Sequence, residues 1–551
     1  MTITPTSLSR TARWMLTLAV FTSGMTTLAI ELTASRLLGN VFGTSNLVWA
    51  NVIGLMLLYL TVGYYVGGWL ADRTPKATRL YQIIIWGAFF SGIVPLVARP
   101  VLVGAANAVI GYEAGVAFGS FLAVLVLFAV PITLLGCVSP FAIRIAVQEV
   151  NATGKIAGRL YAISTLGSLL GTFLPTLLTI PQLGTSGTFF LFAGILLAVA
   201  FAGLITLGKE GQIIAIRLAL LPILLIILSA LLRGGTLRPA PAESQLLYET
   251  DSAYNYIQVL ETTMPLGRMA DGQFEVIWEA GTRQLRLNEG QGIHSIWHPE
   301  RRYYGGTWDM FLAAPFFTNR PQPRSLCVIG LAAGTITTQF ADVYGNAILM
   351  DGIEIDPAIV EVGRRYFGMT QPNLRVMIED GRFGLKRLGL QGAKYDLIAA
   401  DAYRVPYVPW HMTTVEFFEE VRALLTEDGA VAINVGRTVN YATGVQDRRL
   451  VEAITNTMQQ VFPSVHTLDV PESFNTILVA TVKPTTLENL SRNRSALRQD
   501  AHPLLVQALD TALESVRPTV ASHVLFTDDH APVETIINDM VVRYLFGLPP
   551  E

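Results

Sequence analysis

Charge is scarce in this chain. Asp, Glu, Lys and Arg make up only 15% of 551 residues, and 39 basic residues are slightly outnumbered by 42 acidic ones, which leaves a formal net charge of −3. No Lys/Arg stripe stands out, so the footprint of a nucleic-acid binder is missing and nucleic acid is not an expected partner. Cysteine is nearly absent as well. Cys137 lies in an apolar run and Cys327 in a strand-like one, and two such residues support neither a disulfide framework nor a metal-ligand spacing, so no metal is expected. Apolar side chains fill the place of charge: the hydrophobic fraction is 51% and the mean hydropathy +0.44, above what a soluble chain shows. The length exceeds one ordinary domain, and the long uncharged runs crowd into residues 14–232, leaving a remainder with the mixed charge of a soluble domain.

Seven apolar segments have bilayer-spanning length: Trp14–Leu38, Leu47–Leu70, Leu80–Val97, Val116–Cys137, Leu160–Ile180, Thr188–Leu207 and Ile213–Leu232. The first is too long for a cleavable signal, carries Glu31 and is followed by more spans. Val101–Ile110 is too short to cross and reads as a re-entrant or interfacial piece. Arg10, Arg13, Arg73, Lys76, Arg79, Arg144, Lys155, Arg159, Lys209 and Arg217 share one side of a seven-span arrangement, with Arg99 almost alone opposite, which puts the N-terminus in the cytoplasm. An odd count then sends the soluble part outside, away from intracellular nucleotide pools. Either a span is miscounted near Val101 or the soluble part faces out; the nucleotide argument tips the expectation to the cytoplasmic side.

Glu31 and Arg36 are ionisable groups at membrane depth, where an unpaired charge costs about 3 kcal/mol or more, so they require partners. They fit either a substrate or proton pathway or a structural ion pair near a helix end. Gly68-Trp-Leu-Ala-Asp72-Arg73-Thr-Pro-Lys76 resembles the signature loop of major-facilitator transporters, with Pro75 where that pattern has Gly. Gly158–Gly171, rich in small residues at helical spacing, points to close helix packing.

The organisation expected is a helical membrane domain over 1–235, a linker and β meander over 236–310, a Rossmann-like nucleoside-binding domain over 311–485 and a helical extension over 486–551. Strand–helix alternation is expected through Leu326–Ile329, Ala347–Leu349 with Ile353–Ile355, Leu374–Ile378, Tyr395–Ala400 and Ala430–Asn434, which implies a parallel sheet covered on both faces. Asn475–Val482 would add an antiparallel edge, and Thr486–Val516 reads as one charged amphipathic helical extension.

Ser325–Asp356 organises the soluble part. Gly330, Ala332 and Gly334 make a tight small-residue turn from the first strand into a helix near Thr335, letting backbone approach a ligand at a helix start. Glu354, at the next strand end, is spaced to grip the two hydroxyls of a ribose. Asp380 and Gly381 follow the third strand, where the carboxylate could take a hydrogen bond from a base's exocyclic amine. Asp401 follows the fourth, nearest the reacting end, as general base or partner of a cation. Each of these aspartates could instead be a helix cap.

From Tyr248 to Val435 the chain resembles the spermidine synthase family: a β meander, the GLAAG turn, GIEIDPAIVEVGRRYF, EDGRFGLKRL, KYDLIAADAYRVP and TTVEFFEEVRALLTEDGAVAINV. With the membrane half it is similar to bacterial multi-span forms of that family. The resemblance implies that Glu354 binds the ribose and Asp380 the adenine of decarboxylated S-adenosylmethionine, and that Asp401 accepts a proton from an attacking small-molecule amine. Such a protein has membrane lipid as a further partner and could form a homodimer. The family's second carboxylate falls here on Arg404, beside Tyr403; its acidic glycine-loop residue falls on Ala333; its tyrosine stretch aligns with Thr307-Trp308-Asp309-Met310. Arg404 would repel a dication but could pair with the carboxylate of intact S-adenosylmethionine. Asp528 and Asp529 could supply substitute carboxylates for the substrate if the tail folds over the site. Besides aminopropyl transfer, lyase or cyclase action on intact S-adenosylmethionine, methyl transfer, and a transporter with a sensing nucleoside domain stand as alternatives.

Overall fold

The computed structural model describes residues 9–42, 46–108, 115–147, 153–232, 240–270, 273–288, 292–403, 408–439 and 444–546. The chain forms two compact units, one of residues 1–239 with Thr250–Tyr256, the other of Ala240–Glu249 with Ile257–Glu551.

The first unit is helical: α1 Arg10–Phe42, α2 Asn46–Arg73, α3 Ala77–Ala108, α4 Gly115–Gly136, α5 Val138–Ala146, α6 Thr153–Leu174, α7 Ile180–Ile205, α8 Lys209–Leu218 and α9 Leu220–Leu232. Among the described residues, six continuous stretches are long and apolar enough to cross a bilayer. One of them, Thr153–Ile205, has 53 residues, about 80 Å if straight and well over one bilayer thickness. It is interrupted by a π-helical turn at Pro175–Thr179 and by Gly184 at φ 70°, and both α6 and α7 pack on α1, so it has the length and the break for two passes. Val101–Ala108 continues α3 beyond Pro95 and Pro100, which corrects the expectation of a separate re-entrant piece there; Ile110 lies outside the described residues.

The small residues of α6 do what close packing requires. A Cβ on Gly167 or Gly171 would sit 2.0 Å from the carbonyl oxygen of Phe21 or Met25 on α1. Arg36 does not pair with Glu31. Its guanidinium donates to the carbonyls of Ser252 and Tyr254 and lies 3.7 Å from the Asp251 carboxylate, all within this unit. No ion pair involving Glu31 occurs among the described residues. In the facilitator-like loop, Asp72 accepts from Arg144 Nε at 2.9 Å and Lys76 lies 3.7 Å from Glu210, so its charges tie helix ends together.

The second unit opens with β1 Ser244–Asp251, β2 Tyr256–Thr262, β3 Leu266–Ala270, β4 Gln273–Trp278, β5 Arg283–Leu287 and β6 Ile293–Trp297. They form a four-stranded sheet, β1-β2-β5-β6, and a separate β3-β4 hairpin. The remainder runs α10 Thr307–Ala313, β7 Ser325–Ile329, α11 Thr335–Tyr344, β8 Leu349–Glu354, α12 Pro357–Tyr366, β9 Leu374–Ile378, α13 Gly381–Leu390, β10 Tyr395–Ala400, α14 Val415–Leu424 and β11 Leu425–Gly436. After these come β12 Thr438–Val439, β13 Gln446–Asp447, α15 Arg449–Gln459, β14 Ser464–Asp469, β15 Asn475–Thr481, α16 Leu487–Ser495, α17 Pro503–Ser515, β16 Val516–Arg517 and α18 Val533–Phe546.

The large sheet has the order β16-β14-β15-β11-β10-β7-β8-β9, parallel from β11 to β9 and antiparallel beyond. Chain direction across the sheet reverses between β7 and β10, the switch point where strand ends leave a crevice. Apolar residues of α10, α11 and α17 cover one face; those of α13, α14, α15 and α18 cover the other. Three expectations change. The second strand is continuous through Asp351-Gly352, because Leu331 fills the space over Gly352, at 2.7 Å from where a Cβ would be. β15 is interior to the antiparallel end, since β14 and β16 lie outside it. Residues 486–516 make two helices, α16 and α17, the second started by His502 capping and Pro503.

Candidate functional site

The loops after β7, β8, β9 and β10 carry the residues singled out in the sequence. Gly330, with φ 81°, carries the chain past β10 so closely that a Cβ there would be 2.6 Å from the backbone of Ala402. Ala332 also takes positive φ, 48°, and Gly334, at φ 88°, starts α11 in the left-handed conformation, where a side chain would collide with Met369. The turn is held by Glu354, whose Oε2 accepts from the Ala332 amide at 2.8 Å and Oε1 from the Asp356 amide at 3.1 Å. Each oxygen keeps lone-pair capacity for a hydroxyl. Burial pushes the Glu354 carboxyl up to about 7, against these hydrogen bonds.

Asp380 is a helix cap, its Oδ1 accepting from the amides of Arg382 and Phe383 at 3.1 Å each. Its Oδ2 lies 3.4 Å from His411 Nε2, and the bond to His411, aided by the two amides, holds its pKa below the usual carboxylate value despite partial burial. Capping one oxygen leaves the other on the loop side, so cap and ligand roles are compatible. Gly381 has no room for a side chain, as a Cβ would meet Ile329 at 2.5 Å. Asp528 is engaged elsewhere than at Asp401. Arg382 grips it with Nη1 to Oδ1 at 2.7 Å and Nη2 to Oδ2 at 2.9 Å, while also binding Glu420, and Thr414 donates to it at 2.7 Å. Asp529 lies exposed in the adjoining Thr527–His530 turn. The tail therefore packs on α13 and α14, with Asp528 engaged by Arg382 and Asp529 exposed.

Asp401 is the chemically distinctive group. Its amide bonds the Ile329 carbonyl at 2.8 Å, which locks it to the switch point. Asn434 Nδ2 donates to its Oδ1 at 2.9 Å, and the nearby Trp308 indole N–H adds a favourable dipole. Asp401 is half-buried, and desolvation pushes its carboxyl up to about 7 although Asn434 and Trp308 favour the ionised form. Tyr403 stands next to it with its hydroxyl buried against Gly436, and burial together with the Asp401 charge raises the phenol. Arg404 lies outside the described residues. Asp309 is fully buried at the start of α10, accepting from the Gly306 amide at 2.8 Å and Gln339 Nε2 at 2.6 Å; burial lifts it to about 7. Among the described residues no group of three His, Cys, Asp or Glu is placed to hold a metal ion.

Sequence reasoning did not single out Asn434, Trp308 or His411. Asn434 had a signal, as the one amide at the end of the fifth parallel strand, and the strand-end rule extends to it. Trp308 had one only as part of the 307–310 stretch that the resemblance aligns with the family's tyrosine stretch, and His411 had none, since only the fold brings the 410–412 turn to the crevice.

A twisted parallel sheet, a glycine turn at its switch point and carboxylates on successive strand ends define a nucleoside-binding α/β enzyme fold. Sequence comparison specifies it. A profile described as the spermine/spermidine synthase domain matches residues 314–492. The chain is 33% identical to a polyamine aminopropyltransferase of Vibrio vulnificus over 218 residues, 39% of this chain and 67% of that protein. It belongs to the spermine/spermidine synthase family. A probable polyamine aminopropyl transferase of Bifidobacterium longum is 28% identical over 309 residues, 53% of this chain and 63% of that one. The aligned stretches thus span about two thirds of these relatives' lengths. A crystal structure of a probable spermidine synthase from Corynebacterium glutamicum aligns with 52% of this chain and 99% of that one at 17% identity and a TM-score of 0.35.

Proposed function

We propose that this protein is a membrane-bound aminopropyltransferase that moves the three-carbon arm of decarboxylated S-adenosylmethionine to a putrescine-like amine and releases methylthioadenosine. The observation that carries the reading is Asp401, a half-buried carboxyl beside the glycine turn, held by the Asn434 amide and pushed up to about 7 by desolvation. A base for an ammonium works best with a pKa near the operating pH, and this environment supplies one. Glu354 takes the ribose hydroxyls and Asp380, with Gly381, faces the base of the nucleoside. The amine nitrogen attacks the carbon bound to the sulfonium, the carbon–sulfur pair returns to sulfur as a neutral thioether, and the ammonium proton goes to Asp401. Little else is needed, because the leaving group is already activated and most of the acceleration comes from holding nitrogen and carbon in line. The helical unit anchors the enzyme in lipid.

Mass spectrometry of products tests this on the full-length protein in detergent, given decarboxylated or intact S-adenosylmethionine with and without 1,4-diaminobutane. Methylthioadenosine formed from the decarboxylated donor only with the amine is the expected result. Methylthioadenosine without an amine would replace the reading by lyase or cyclase chemistry, and S-adenosylhomocysteine by methyl transfer.

A further inference from the structure

One buried polar atom beside Asp401 makes no hydrogen bond, Asn434 Oδ1, and a second, the Tyr403 hydroxyl, has only the Gly436 N–H near its oxygen and keeps a lone pair unused. Asn434 is only 5% exposed, and its other end, Nδ2, is committed to Asp401. That commitment fixes the amide, since the reversed orientation would set a carbonyl against a carboxylate. Tyr403 reaches the same place by a different route, as its hydroxyl oxygen abuts the Gly436 amide and the ring feels the Asp401 charge. Asn434 and Gly436 are two apart on β11 and so present to one face of the strand. Buried acceptors left without donors cost free energy and are rare in folded proteins, so Asn434 Oδ1 beside a titratable carboxyl marks where a ligand's donors go.

We propose that Asn434 and Tyr403 form, with Asp401, the seat of the attacking nitrogen and select a primary amine. The inference rests on the aminopropyl-transfer reading and extends it to residues of this chain that carry no carboxylate. An alkylammonium has three N–H donors and no acceptor, and the three groups offer one acceptor each. Asp401 takes one proton before attack, and the neutral primary amine keeps two N–H donors for Asn434 Oδ1 and the Tyr403 oxygen while its lone pair attacks the sulfonium carbon. The C–N bond forms as the C–S bond breaks, with its electron pair leaving on sulfur. Asn434 acts twice, positioning Asp401 through Nδ2 and the nitrogen through Oδ1. A secondary amine lacks one of the three donors.

The test uses the full-length protein in detergent with decarboxylated S-adenosylmethionine and 1,4-diaminobutane. Asn434→Ala and Tyr403→Phe should each raise KM for the diamine at least tenfold while the Kd for methylthioadenosine stays within twofold. Wild type should favour 1,4-diaminobutane over its N,N′-dimethyl analogue at least tenfold in kcat/KM, and the preference should shrink in both variants. Among the described residues Asp401 is faced by Asn434, Trp308 and Tyr403, of which only Tyr403 titrates. Asn434→Ala should therefore move the acid limb of kcat/KM to higher pH, through loss of a donor to the ionised form, and Tyr403→Phe should leave it in place. Unchanged KM and acid limb in active variants overturn the proposal, as does a Kd for methylthioadenosine that rises in step with KM, which a merely structural role would produce. Failure of the parent reading looks different, because wild type itself would then form no methylthioadenosine with either amine.

Discussion

Replacing Asp401 by Asn should make the nucleoside-binding unit more stable at high pH and catalytically poor at every pH. The carboxyl sits at about 7 in the folded protein against an ordinary 3.8, roughly three units, and at about 1.4 kcal/mol per unit the ionised group opposes folding by up to about 4 kcal/mol. Below about pH 4 both folded and unfolded chains hold the proton and the burden is absent; it grows as the unfolded chain ionises and is complete above about 7. Asn removes the charge and still offers a carbonyl oxygen to Asn434. Hydrogen–deuterium exchange of peptides covering β10 and β11, in the full-length protein, reads the local opening equilibrium. Wild type and Asp401→Asn should be equally protected at pH 4, and the variant up to about a thousandfold better protected at pH 8. Glu354 and Asp309 also titrate at about 7, but they occur in both proteins and cancel in the comparison. In parallel, kcat/KM of wild type should rise with pH to a plateau with an inflection near 7, and the variant should lose about 10²- to 10⁴-fold. Equal protection at both pH values, or an acid limb near 4, would refute the desolvated-base argument.

Gly330→Ala places a methyl against the Ala402 backbone at a positive φ and should abolish methylthioadenosine binding by calorimetry. Gly345→Ala, also at positive φ but with open space around it, should cost about 1 kcal/mol of stability and leave binding intact. Arg382→Leu leaves Glu420 and Asp528 facing each other without their shared cation; about 2 kcal/mol should be lost locally, discounted because Asp528 is 43% exposed, and limited proteolysis should cut the chain near residue 528 sooner than in wild type.

The parallel strands were readable because a strand buried on both faces is a short apolar run between polar ends, and β7 and β10 fall on the runs the sequence presents. The strand-end rule then brought Glu354, Asp380 and Asp401 to one crevice. Errors arose where a local signal had a distant resolution. Asp351-Gly352 looks like a turn in isolation, yet Tyr395 and Arg375 hold Asp351 in the sheet, at 2.5 and 2.6 Å. β14, Ser464–Asp469, mixes His, Thr and Asp and shows no strand pattern, although Thr476 and Arg448 satisfy its buried Asp469. Asp528 is separated by 146 residues from Arg382, and no spacing announces that bond. Nor does any pattern send Trp308, ahead of the first parallel strand, to a carboxylate after the fourth.

A sidedness can be predicted by counting candidate passes among the described residues. The sequence left open whether a span had been miscounted near Val101, and α3 removes that escape, since Val101–Ala108 prolongs an existing helix and adds no crossing. The break at Gly184 makes two passes of Thr153–Ile205, and α8 with α9, Lys209–Leu231, is long enough to make one more. Five other passes would be needed for an even total of eight, and only four precede residue 153. The total is seven. With Arg73, Lys76, Arg144, Lys155 and Arg159 at the helix ends on the N-terminal side, the prediction is that this side faces the cytoplasm and the soluble unit the opposite compartment. The nucleotide-pool argument favours the reverse, and labelling from outside the cell decides between the two. Single cysteines introduced at Thr74 and at Glu300 should distinguish the two in intact cells: an impermeant maleimide should label Glu300→Cys and spare Thr74→Cys. The opposite labelling would mean that one of the seven helices does not cross, and α9, whose 13 residues reach only about 20 Å, would be the first to examine by the same labelling at its two ends.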